Sequence, residues 1–216
     1  THEIMNSVAP ISSLASTAER RLAANGDGAD IESEEAADVR EAVEAIERRS
    51  ESLINFVDAY RSFTDIPSPE FELLEAQDLL DNVHRLLRVQ IEEQALSVDI
   101  SVDPPDLTLT GDPDLLDQVL INLALNAIQA VEEQKEAQIK LRAYVDGRSR
   151  PVIQVEDNGP GIPADVQEKI FVPFFTTKED GSGIGLSLSR QIMRLHGGRL
   201  SVRSEEGEGA VFTLRF

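Results

Sequence analysis

With 216 residues, 41% of them hydrophobic, the chain is long enough for one or two domains with ordinary cores. Its 40 acidic and 20 basic residues leave a net charge of −20, which repels nucleic-acid backbones and anionic bilayers; an anionic nucleotide stays admissible only where a divalent cation and backbone N–H groups offset the charge. There is no cysteine for a disulfide or thiolate metal site, and no apolar run approaches the roughly 18 to 20 residues of a membrane span, so direct membrane contact by this stretch is not expected.

The chain starts without methionine and already in a helical pattern, which reads as a piece of a longer protein. Ile4, Val8, Ile11, Ala15, Ala18 and Leu22 fall on one helical stripe that Asn25, Gly26, Asp27 and Gly28 interrupt. A second stripe runs through Ala36, Val39, Val43, Ile46, Ser50, Leu53, Val57 and Tyr60 at alternating three- and four-residue spacing. Ser33 is a candidate N-cap before Glu34 and Glu35. Two such stripes predict an antiparallel helical hairpin over 1–66, which buries its apolar face most economically by pairing with a second copy as a four-helix bundle. A homodimer is therefore expected, weakened by the short first helix.

Pro67 and Pro69 mark a linker, and the pattern then changes to mixed strand and helix over 67–216. A strand is predicted at Phe71–Leu74, a helix at about 78–93, and strands carrying Val98, Ile100 and Val102 and then Leu107 and Leu109. Asp112 before Pro113 is a strong helix start, with the helix running to about Val131. Strands follow over 139–145 and 151–156. A helix over 185–195 stops at Gly197 and Gly198, and the chain closes with a hairpin of 199–204 and 210–216. The sum is an α+β fold, a mixed sheet with helices over one face.

Four segments of this second region carry chemistry. Asn122 and Asn126 lie one turn apart on one face of their helix. They suit either a buried amide pair or an oxygen ligand set for Mg²⁺ beside phosphates. Asp157-Asn158-Gly159-Pro160-Gly161-Ile162 ends an apolar strand. It is either an ordinary turn or a carboxylate placed to accept the exocyclic amino group of adenine, a group that guanine replaces with a carbonyl. Phe171-Val172-Pro173-Phe174 through Lys178 has the make-up of a mobile lid with a cation. Gly181-Ser182-Gly183-Ile184-Gly185-Leu186 opens a helix whose first N–H groups can receive a phosphate.

In this order the segments resemble the N, first glycine, F and second glycine boxes of sensor histidine kinases, in the superfamily that includes the gyrase and MutL ATPases. The resemblance implies a Bergerat-type ATP-binding sandwich using ATP and Mg²⁺. Asn126 and Asn122 would form its metal side. Asp157, Gly159, Gly161 and Ile162 would lie at adenine, with Phe174, Lys178, Gly181, Gly183, Gly185 and Leu186 around the nucleotide, and Thr213 would hold adenine through water. Gln129 stands where the family commonly has lysine.

The N-terminal His2-Glu3-Ile4-Met5-Asn6 is similar to the family's phosphoacceptor box. That implies His2 as nucleophile, Glu3 as partner of its other ring nitrogen, and Asn6 as the residue that positions water for a phosphatase activity. Phe56 to Arg61 together with Ile66 to Pro69 is similar to the nitrogen-sensor branch. A response regulator receiver domain is the implied partner, and the cytoplasmic portion of a membrane-anchored sensor the implied location. A gyrase- or MutL-like ATPase needs a glutamate base where Asn122 stands, and an amide cannot serve. A protein serine kinase on the same fold would lack the His2 box. His84 and His196 carry no predicted catalytic role.

Overall fold

The structure, a computed structural model, describes residues 66–178 and 181–216 together with positions 43, 44, 46, 47, 50 and 54. The chain divides into two compact units, Thr1–Asp65 and Ile66–Phe216. In the first unit the described positions are helical, with Val43 and Ser50, seven residues apart, buried on one stripe while Ile46 is exposed. The rest of the expected hairpin, its turn and the candidate residues His2, Glu3 and Asn6 lie outside the described residues.

The second unit is α+β. In chain order it comprises β1 (Glu72–Glu75), α1 (Ala76–Leu86), α2 (Arg88–Glu93), β2 (Ser97–Asp103), β3 (Thr108–Gly111) and α3 (Pro113–Ala130). Then follow β4 (Gln138–Val145), β5 (Pro151–Asp157), a 3₁₀ turn (Lys169–Phe171), α4 (Gly185–Leu195), β6 (Arg199–Glu205) and β7 (Gly209–Arg215). A five-stranded sheet has the order β2-β4-β5-β7-β6, with β2 parallel to β4 and every other pair antiparallel. β1 and β3 form a separate antiparallel pair.

Strand alternation gives the sheet two faces. Ile139, Leu141 and Ala143 of β4 align with Asp157, Val155 and Ile153 of β5, and these with Ala210, Phe212 and Leu214 of β7. All are buried, on the face that the helices cover. The other face is polar: Lys140 pairs with Glu156 at 2.8 Å, and Gln154 donates to the Thr213 hydroxyl at 3.1 Å. The central helix α3 packs on β5, flanked by α1 and α4. Its start follows from the sequence, since Asp112 accepts the Leu115 N–H at 3.0 Å and Pro113 occupies the first turn. Leu116, Val119, Leu120 and Leu123 are at most 1% exposed, each such burial being worth about 1.5 to 3 kcal/mol.

The expected single helix over 78–93 is two helices. The backbone departs from helical values at Leu87, which is tucked into the core while Leu86 and Val89 on either side stay exposed and α2 buries nothing. Among the described residues no helix is long and apolar enough to cross a membrane.

Candidate functional site

A cleft of about 220 Å³ opens between α3, the loop after the 3₁₀ turn and the start of α4. α3 contributes Asn122, Asn126 and Gln129. The loop contributes Phe175, Thr176, Thr177 and Lys178, then Gly181 to Gly183, and α4 contributes Gly185 and Leu186. Three of the four sequence segments, the asparagine pair, the lid and the glycine-rich loop, therefore share one cleft. It is smaller than the few hundred Å³ that ligand pockets usually enclose, and suits the phosphate part of a nucleotide.

The side chains inside it are specifically placed. The Asn122 amide donates to the hydroxyl of Ser189, buried one turn into α4, which ties the two helices together at 3.0 Å. Gly185 is what allows that approach: a Cβ there would lie 2.2 Å from Asn122 Oδ1. Lys178 donates to Asn126 Oδ1 at 3.0 Å and also to Gln129 Oε1. Partial desolvation on α3 lowers the lysine's pKa below its ordinary value. Gln129 thus accepts from the Lys178 ammonium, which brings a cation beside that position.

Gly183, at φ +67°, accepts the Phe174 N–H through its carbonyl at 2.9 Å, closing the loop on itself. Phe174 also holds a positive φ, +67°, and is exposed. Gly181 hydrogen-bonds back to Lys178, and Thr176 accepts the Lys178 N–H. Among the described residues no side chain caps α4, whose N-cap position is Ile184, and Gly185 and Leu186 of its first turn, at the positive end of the helix dipole, line the cleft.

The Asp157 segment forms a neighbouring cluster and does not line this cleft. Asp157 is 6% exposed, its carboxylate held by the N–H groups of Gly159, at 2.9 Å, and Ala210. Burial pushes its pKa up against those two donors. Gly159 sits on Ala130, the last residue of α3, which links this cluster to the helix of Asn126. Gly161 turns back against the Glu205 carbonyl, and the Ile162 N–H is held by Ser204 Oγ at 2.8 Å. Among the described residues this buried carboxylate, at a strand end, has no cationic partner, which gives it the character of a ligand-reading group.

Thr213 is a correction. It aligns with Gln154, so its hydroxyl lies on the polar face of the sheet, opposite to Asp157, and cannot share a ligand with it. The β7 residue opposite Asp157 is Ala210, which brings a backbone N–H and a methyl group but no hydroxyl. The sequence reading missed Ala210 and Ser189. Ser189 was signalled only by its helical spacing from Gly185. His84 lies half-buried on α1, away from the cleft.

The side-chain oxygens that α3 offers the cleft, at Asn122, Asn126 and Gln129, are amide carbonyls, hard ligands that fit Mg²⁺ when phosphates and water complete its shell. Among the described residues no cluster of three or more His, Cys, Asp or Glu could hold a metal ion alone, so such an ion would have to come with the nucleotide.

Residues 111–216 match the family of histidine kinase-, DNA gyrase B- and HSP90-like ATPases. The sensor histidine kinase ZraS of Salmonella typhimurium is 33% identical over 213 residues, which are 99% of this chain and 43% of that protein. The sensory histidine kinase/phosphatase NtrB of Rhodobacter capsulatus is 32% identical over 95% of the chain and 57% of its own length. The chain thus spans about half the length of these relatives. Among solved structures, the catalytic domain of the histidine kinase ThkA is 35% identical with a TM-score of 0.62, over 68% of this chain and 95% of that one. ThkA in complex with the response regulator protein TrrA is 25% identical with a TM-score of 0.69, over the whole chain and 60% of that one.

Proposed function

The chain belongs to the histidine kinase family, and we propose that it is the catalytic core of a two-component sensor kinase, moving the γ-phosphoryl group of ATP to His2. One observation carries the reading. A side-chain oxygen at Asn126, a cation at Lys178 and the N-terminus of α4 converge on one cleft. These are the three kinds of group that hold and align a polyphosphate.

In this reading the Bergerat-type sandwich takes the base at Asp157, where the ionised carboxylate accepts the exocyclic amino group of adenine, while Gly159 and Gly161 let the turn close against Ala130 and Glu205. Asn126 holds the divalent ion from the helix side and Asn122 keeps α4 in place beside it. Bound Mg²⁺ would neutralise charge on the transferring phosphates. Lys178, Gly181, Gly183 and the α4 amides hold the phosphate oxygens, while Phe174 and the loop exclude water. The His2 ring nitrogen forms the new N–P bond as the P–O bond to ADP breaks. Glu3 keeps the proton of the other ring nitrogen and steadies the positive charge.

Further along the same reading, an aspartate of a response regulator receiver domain takes the phosphoryl group, in line with the ThkA–TrrA complex. Asn6 would position water to hydrolyse the phosphorylated regulator, releasing inorganic phosphate; a phosphatase activity is named for NtrB. The hairpin of 1–66 dimerises, and the whole is the cytoplasmic portion of a larger sensor. The test is incubation with γ-labelled ATP and Mg²⁺, comparing the protein with its His2→Gln variant. Acid-labile label that disappears in the variant supports the reading, and acid-stable label or steady ATP hydrolysis without labelled protein overturns it.

A further inference from the structure

His196 does more than end a helix. Its ring lies where three elements meet. Nδ1 donates to the Ile192 carbonyl one turn back on α4, at 2.8 Å, and Nε2 accepts the backbone N–H of Asp112 at 3.0 Å. A backbone N–H directed at Nε2 requires a lone pair there, so the imidazole is neutral with its proton on Nδ1. Asp112 then uses both carboxylate oxygens: Oδ1 caps α3 through Leu115, and Oδ2 accepts the Glu70 N–H at 2.8 Å. The Phe71 ring meets the imidazole edge to face at 5.3 Å.

One imidazole and one carboxylate thus fasten the end of α4, the start of α3 and residues 70 and 71, the stretch through which the polypeptide arrives from 1–65. The two helices bear the candidate nucleotide residues further along, Asn122 and Asn126 on α3 and Gly185 on α4. None of the fastening groups lines that cleft.

We infer that His196 is a positioning residue for phosphoryl transfer. Through Asp112 it holds the incoming segment at one place on the ATP-binding unit, so that its loss slows transfer without weakening nucleotide binding. The inference rests on the kinase reading given above. Transfer needs the acceptor aligned with the phosphorus, and a misplacement of about 1 Å costs up to about a hundredfold in rate. Nucleotide binding is completed within the ATP-binding unit and makes no such demand.

The experiment compares the full chain with His196→Ala, His196→Gln and Phe71→Ala. It measures the Kd of a non-hydrolysable ATP analogue with Mg²⁺, the rate of acid-labile label incorporation, and amide hydrogen exchange at Glu70 and Asp112. His196→Ala should speed exchange at both amides by about tenfold or more. It should lower the labelling rate by about tenfold or more while Kd moves by less than about threefold. His196→Gln, whose amide oxygen can accept the Asp112 N–H, should restore most of both. Phe71 is half exposed, so Phe71→Ala keeps the fold and should show the same split of rate from affinity even if His196→Ala does not fold. Rates that stay normal in the variants, or rate losses matched by equal losses of affinity, overturn the positioning role alone. Absence of label in the unaltered protein overturns the kinase reading, and the inference falls with it.

Discussion

The Lys178 ammonium lies 3.0 Å from Asn126 Oδ1, so the oxygen proposed for the divalent ion faces a positive charge. Its partners there are two neutral amide oxygens, and in the proposed reading a polyphosphate would offer it an anionic one.

Lys178→Met should therefore act in two opposed ways. Loss of a charged hydrogen bond to phosphate, worth about 1.5 to 3 kcal/mol, should weaken ATP binding by roughly ten- to a hundredfold. Loss of the competing cation should lower the Mg²⁺ concentration that half-saturates binding. Titrating Mg²⁺ at fixed nucleotide, and nucleotide at saturating Mg²⁺, separates the two. An unchanged ATP affinity would remove Lys178 from the site.

The second test concerns Gly185. An added Cβ would meet Asn122 Oδ1 at 2.2 Å, and Asn122 can yield only by giving up Ser189. Gly185→Ala is expected to reduce ATP affinity about tenfold or more and to cost about 1 to 3 kcal/mol of stability. Gly147→Ala, where a Cβ meets nothing within 4 Å, is the control and should change neither. Calorimetric titration and a urea melt of each variant provide the readouts.

Much of this was legible because the signals are local. Asp112-Pro113 announced the start of α3 through cap chemistry, and Gly197-Gly198 announced the end of α4, where Gly198 donates to the Met193 carbonyl at 2.9 Å. The parallel pairing of β2 with β4 was not legible, since strand order depends on contacts distant in sequence. The break at Leu87 carried no Gly or Pro to signal it. Thr213 was misjudged because a motif match fixes a residue's place along a strand but not its register, and a shift of one residue moves a side chain to the other face. Lys178 meeting Gln129 was equally hidden: the amide looked like a lost charge until the loop brought one.

Asp157 gives a pH-dependent test. Burial raises its folded pKa above the ordinary carboxylate value of 3.8. Its contribution to stability is thus full below the unfolded value and is lost as pH rises through the folded one, so the ionised group strains the fold at neutral pH. In the proposed reading the ionised form, with its fuller acceptor capacity, takes both backbone N–H groups and the adenine amino group. ATP affinity should fall on acidification at a higher pH than an ordinary aspartate would dictate. Asp157→Asn should lose about ten- to a hundredfold in affinity at neutral pH with little loss of thermal stability. Affinity measured from pH 4 to 8 decides, and a flat profile in the unaltered protein sinks the assignment.

Asp112 runs the other way. Burial alone would raise its carboxyl, but the N–H groups of Leu115, Glu70 and Asp114 hold it below 3.8. A depressed folded value adds stability above the unfolded pKa, and that stability is lost as pH falls through the folded one. Asp112→Ala removes the α3 cap and the anchor of Glu70, and should cost about 1 to 2 kcal/mol at neutral pH. Asp112→Asn keeps one acceptor and should cost less. Urea melts at pH 7 and pH 3 should show the alanine penalty shrinking at the acid end, because there the unaltered carboxyl is losing its own charge. A penalty equal at both pH values would mean that the carboxylate's charge contributes nothing to the junction, and that its shape alone holds Glu70 and the first turn of α3.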